Sequence, residues 1–139
     1  MSEIRLVRDY PHPPEKVWRV LTTPEHMAKL GMRPEGFAPV VGTKFRFVGE
    51  RNPGWRGYVD VEVLEATPTS RLRYRWDDDG KGRPTEVQYT IEAQAGGTRV
   101  TLVHSGFTGI GGFVFRTFVM GPGLRGLMDT RLPAALAGA

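Results

Sequence analysis

The sequence predicts an α+β fold in which a curled antiparallel sheet of about six strands wraps onto a C-terminal helix, with two short helices after the first strand. Three observations predict it. A strand-like opening ends at a cluster of prolines, and two short amphipathic stretches follow. A long run of period-two alternation occupies the middle, and an apolar pattern at helical spacing closes the chain.

Residues 4–10 form the first strand. Pro11, Pro13 and Pro14 stop it, because proline donates no backbone hydrogen bond, and Pro14 suits the first turn of a helix. Val17, Val20 and Leu21 then share one helical face, and Pro24 opens the second helix. Residues 33–42 read as a Pro- and Gly-containing loop. Alternation begins at Lys44: Phe45 and Phe47, then Val59, Val61 and Val63, then Leu72, Tyr74 and Trp76 fall on one face. Val87, Tyr89 and Ile91, and finally Val100, Leu102 and His104, continue the same face. The turns are Asn52-Pro53-Gly54, residues 67–70, the charged loop 77–82 and Ala95-Gly96-Gly97. Short connections make the sheet an antiparallel meander. The opposite face carries Lys44, Arg46, Asp60, Glu62, Arg73, Arg75 and Glu86, so one face is wet and the other covered. Leu124, Leu127, Met128 and Leu132 give the closing helix its stripe, with a kink or fraying expected at Pro133.

At 139 residues, the chain is expected to be one domain spanning residues 1–139. Its 40% hydrophobic and 24% charged content is that of a globular protein. Without cysteine there are no disulfides, thiolate nucleophiles or cysteine-bound metals, which fits a cytoplasmic location. No apolar core of a signal peptide follows Met1, and residues 113–120 are too short to span a bilayer. The net charge of +4 comes from basic residues scattered in ones and twos, without the cluster that nucleic-acid binding needs. Asp77, Asp78 and Asp79 lack the remaining spacing of a calcium loop and read as a hairpin. His12, His26 and His104 have no spacing that compels a metal site, so no metal or cofactor is expected.

A twisted sheet cannot be filled everywhere by one straight helix. The space left over is an apolar pocket with a few polar atoms, the general form of a small-molecule site; a packed core fits the same pattern. The expected ligand-lining residues are Phe45, Val61, Tyr74, Trp76, Tyr89, Leu102, His104, Phe118, Leu124 and Met128. His104, Tyr74 and Tyr89 are the candidates for acid–base work. Ser105 adjoins His104 and therefore points the other way on a strand, which excludes a serine–histidine pair. Gly109, Gly111 and Gly112 precede an aromatic segment and carry no phosphate-loop signature. They suggest a hinged lid bearing Phe113, Phe115 and Phe118, or else core or interface packing for these rings.

Several blocks in order carry a family resemblance: Pro14-Glu15-Lys16-Val17-Trp18, Thr22-Thr23-Pro24-Glu25, Val41-Gly42-Thr43-Lys44-Phe45, Leu72-Arg73-Tyr74-Arg75-Trp76 and residues 97–107. The chain resembles the bacterial branch of the activator of heat-shock-protein-90 ATPase homologue family, within the START-like, SRPBCC helix-grip superfamily. That resemblance implies a helix-grip (birch-allergen-like) fold and an apolar cavity between sheet and terminal helix. Its members range over lipid and polyketide binders, cyclases and a chaperone activator, so fold alone names no function. Leu30 stands where many members place a tryptophan, and residues 109–123 depart from the usual polar helix start. The expected function is binding of a small hydrophobic molecule. The alternatives are a cyclase, dehydratase or hydrolase using the same cavity, or a chaperone-interaction module, with a homodimer compatible with each.

Overall fold

The computed structural model describes residues 3–139, apart from the side chains of Ile110, Phe113, Val114 and Phe118. Strand β1 (Glu3–Tyr10) leads through the proline corner to α1 (Pro14–Thr22) and α2 (Pro24–Met27), which a 3₁₀ turn (Ala28–Leu30) extends. Six further strands follow: β2 (Arg33–Glu35), β3 (Lys44–Val48), β4 (Tyr58–Thr67), β5 (Arg71–Asp77), β6 (Thr85–Gln94) and β7 (Gly97–Ser105). All pairings are antiparallel and the order is β1-β7-β6-β5-β4-β3-β2, so the first strand closes against the last.

The sheet has seven strands where about six were expected. The addition is β2, three residues inside the stretch 33–42 read as loop. Its Pro34 pairs opposite Phe47 at the sheet edge, where a missing N–H is tolerated. Between Val63 and Glu65 the β4–β5 register shifts, and such a bulge bends its strand and sharpens the twist. At the other end Gly97 is obligatory, because a Cβ there would overlap the Tyr10 carbonyl.

The second departure is larger. Residues 109–137 are continuously helical, so the glycine-rich stretch is the first half of the terminal helix and not a loop. Three α-helical segments, α3 (Gly109–Phe115), α4 (Gly121–Gly126) and α5 (Leu132–Ala137), alternate with π-helical turns at Arg116–Met120 and Leu127–Arg131. Each π turn comes just before a proline, Pro122 or Pro133. A proline in a regular helix loses one hydrogen bond and clashes with the carbonyl four residues back. The wider turn avoids this: Gly121 N–H reaches Arg116 O and Leu132 N–H reaches Leu127 O, five residues back. The helix therefore continues past Pro133 to Ala137 and does not fray there. Pro133 leaves the Met128 carbonyl unclaimed within the helix, and the Tyr10 hydroxyl donates to that oxygen at 2.7 Å. This bond pins the first strand to the last helix.

The core lies between the sheet's inner face and this helix, with Val17, Val20 and Leu21 of α1 closing one end. Leu72, Val100, Leu102, Met128, Leu132 and Leu136 are fully buried there.

Candidate functional site

The helix does not fill the sheet's concave side. A cavity of about 650 Å³ remains between the inner face of β3–β7, the 3₁₀ turn and the middle of the terminal helix. Phe47, Val59, Tyr74, Trp76, Val87, Tyr89 and His104 form its sheet wall. Phe115, Val119, Met120, Leu124, Leu127 and Arg131 face them from the helix, and Leu21, Met27, Leu30 and Met32 close one side. The exposed wall residues are Gly31, Asn52, Gly54, Val119 and Gly123, which puts the opening between the 52–55 turn and the helix middle. That turn is held by paired Asn52–Trp55 backbone hydrogen bonds, and the Asn52 side chain accepts from Gly54 N–H at 2.9 Å.

Of the ten expected lining residues, Tyr74, Trp76, Tyr89, His104 and Leu124 lie on this wall. Phe45, Val61, Leu102 and Met128 do not. Phe45 stands two residues beyond Phe47 along the strand, in a cluster of edge-on rings with Phe37, Phe47 and Tyr74 at 5.1–5.6 Å. Val61, Leu102 and Met128 are buried in the packing. Phe118 and Phe113 fall outside the described side chains, while Phe115 is on the wall as part of a helix and not as part of a loop lid.

Apart from Asn52 at the opening, the polar side chains of the wall fall into two groups. At one end His104 is fully buried, with Nε2 2.7 Å from the Thr85 hydroxyl and Nδ1 without a partner. Burial drives its pKa down to about 3, so the ring is neutral at pH 7. It packs against Trp76 and Phe107, with ring centroids at 5.7 and 4.7 Å. The Trp76 indole N–H donates to Asp78 at 3.0 Å, and Asp78 also lies on the wall. Burial raises the Asp78 carboxyl to about 6, against the Trp76 hydrogen bond that lowers it.

The second group is Tyr74, Tyr89 and Arg131. Burial pushes both phenols well above their ordinary value, so both remain protonated. The Tyr74 hydroxyl is buried without a hydrogen-bond partner. Arg131 donates from Nε to Leu30 O and from Nη2 to Gly123 O, both at 2.8 Å. Among the described residues no group of three or more His, Asp or Glu could hold a metal ion.

A sequence model of the Activator of Hsp90 ATPase homolog 1-like protein family matches residues 11–126. The chain belongs to this family. No curated protein sequence matches it. Protein MLL2253 from Mesorhizobium loti has a similar structure, with 26% identity over 99% of this chain and 98% of that one and a TM-score of 0.83. The Aha1 dimer from Colwellia psychrerythraea shares the fold at 21% identity over 94% and 96% of the two chains, with a TM-score of 0.73. So does DynU16, a putative protein in the dynemicin biosynthetic locus, at 24% identity and a TM-score of 0.80. This chain covers 48% of DynU16 and is itself 99% covered.

Within this Activator of Hsp90 ATPase homolog 1-like chain, two wall residues are missing from the lining expected of the sequence despite a readable signal. Asp78 continues the inward row Leu72, Tyr74, Trp76 by one more step of two. Arg131 lies seven residues after Leu124, on the same helical stripe as Leu127 and Met128. Trp55, Met32 and Met27 carried no periodic signal, because they come from turns and short elements.

Proposed function

We propose that this protein binds a small, largely apolar molecule in the cavity between sheet and terminal helix. The observation that carries the reading is the cavity itself: about 650 Å³, walled mainly by aromatic and aliphatic side chains, with polar atoms at two places. Ligand sites fall in this size range and have this composition. Tyr74, Trp76, Tyr89, His104 and Leu124, with Phe47, Trp55 and Met120, form the ligand's surroundings. Covering roughly 250 Å² of apolar ligand surface contributes about 6 kcal/mol before the cost of immobilisation. The proposal includes a cytoplasmic location, in keeping with the cysteine-free sequence; among the described residues no helix is long and apolar enough to cross a membrane. Lipids and polyketides are the substance classes of matching size and polarity.

The test is titration with N-phenyl-1-naphthylamine, an apolar dye that brightens in dry surroundings. Two of the three tryptophans, Trp55 and Trp76, line the cavity, so their emission reports the same event. Saturable one-to-one binding that Leu124→Arg abolishes in a folded protein is the expected result. Dye binding that does not saturate, or that survives Leu124→Arg, contradicts the proposal.

One observation favours an enzyme as the second reading. The three candidates His104, Tyr74 and Tyr89 do not change charge near neutral pH, but Asp78, titrating at about 6, does. A carboxyl so placed suits proton transfer to a bound molecule. Turnover of a captured ligand that disappears in Asp78→Asn would establish this reading in place of simple carriage.

A further inference from the structure

We infer that the cavity is selective for apolar molecules ending in a carboxylate, held by Arg131 with the hydroxyl of Tyr89; this rests on the ligand-binding reading above. Arg131 is the one lysine or arginine among the described wall residues, and no carboxylate among the described residues pairs with it. Its Nε and Nη2 donate to two backbone carbonyls, which fixes the plane of the guanidinium and leaves further N–H groups uncommitted. The side chain is also cradled by glycines. A Cβ on Gly31 would stand 3.3 Å from its Nε, and one on Gly126 3.1 Å from its Nη1. The sequence thus leaves room for the guanidinium and holds it from two sides.

A hydroxyl donor lies on the same wall. Tyr89 lines the cavity together with Arg131, whose charge works against the burial that lifts the Tyr89 pKa. The Tyr74 ring is also on the wall, but its hydroxyl is buried away from the cavity surface. One cation and one protonated phenol supply N–H and O–H donors to an acceptor with a single negative charge. A carboxylate fits that set, and charge-assisted hydrogen bonds of this kind are the strong ones. A dianionic phosphate would meet only one compensating charge.

The far end fixes the orientation. Tyr89 pairs with Leu72, and Trp76 is four residues further along β5, about 14 Å away at the rise of a strand. A carboxylate placed there would meet a second carboxyl, Asp78. The apolar tail therefore points toward Trp76 and His104.

The test compares dodecanoic acid with dodecan-1-ol, of equal chain length, as competitors for bound N-phenyl-1-naphthylamine at submicellar concentration and low salt. The acid is expected to bind at least about tenfold tighter. Tyr89→Phe and Arg131→Gln should each reduce that preference, read as the ratio of the two affinities, to less than about threefold. Tyr89→Phe conserves volume, so it carries the test if loss of the Leu30 tether unfolds the Arg131 variant. Equal affinities for acid and alcohol, or a preference that survives Tyr89→Phe, overturn the inference while the cavity reading stands. If dye and both competitors fail to bind, the cavity reading and this inference fall together.

Discussion

Asp78 and His104 lie on the same cavity wall, and burial pushes both toward their neutral forms, with opposite consequences for stability. His104 titrates at about 3 when folded and near 6.5 when unfolded. Its contribution is complete above pH 6.5 and is lost as pH falls toward 3, at about 1.4 kcal/mol per pH unit. Asp78 titrates at about 6 when folded against 3.8 unfolded. Its contribution is complete below about pH 4 and is lost as pH rises through 6. Asp78→Asn keeps an oxygen for the Trp76 indole and removes the ionisation. Urea unfolding should find it more stable than the parent by about 2 kcal/mol at pH 7, with the difference vanishing near pH 4. His104→Gln should show the reverse dependence, gaining on the parent as pH falls from 6.5 to 3. A group that lowers stability at neutral pH is the kind retained for a site rather than for the fold. Alternation made the wall's Tyr74, Trp76, Tyr89 and His104 readable in the sequence. It missed Asp78 because three successive aspartates also make a hairpin loop.

The terminal helix shows why elements are harder to read than rows. Local propensity argues against helix at Gly109, Gly111, Gly112 and Gly121-Pro122-Gly123, since glycine costs about 1 kcal/mol and proline about 3. Tertiary packing overrides it: Leu124, Leu127 and Met128 bury against the sheet, and the two π turns absorb the prolines. Pro122 and Pro133 are separated by three helical turns, so the chain meets the same obstacle on the same face twice. By contrast, β3–β7 and α1 were legible because their burial follows simple periods of 2 and 3.6. The short edge strand β2 was not, since three residues around a proline carry no period. Gly126 separates the demands of this helix from those of the site. Gly126→Ala gains helix propensity and presses on the flexible end of Arg131. Thermal unfolding should stay level or rise by a few degrees, while the preference for acid over alcohol falls. A variant that lost stability and kept the preference would show that Arg131 serves only to tie the helix to Leu30.

At the scale of the molecule, a packed core and an unfilled cavity share one sheet face, and truncation distinguishes them. Leu102 is fully buried in the packed part, so Leu102→Ala should cost about 3 kcal/mol in urea unfolding. Val119 is 57% exposed at the cavity mouth, so Val119→Ala should cost less than about 0.5 kcal/mol. The order of elements and the closing helix could be read from the sequence, and so could the need for something to occupy the concave side. The boundary between packed and empty could not, because it depends on how far the helix stands from the curled sheet. Native mass spectrometry of freshly purified protein, compared with its denatured mass, reads the contents of the cavity directly. Either a copurified mass lost on denaturation or a one-to-one adduct on addition of dodecanoic acid is expected. A clean apo mass that forms no adduct with dodecanoic acid, dodecan-1-ol or N-phenyl-1-naphthylamine would contradict the ligand-binding reading.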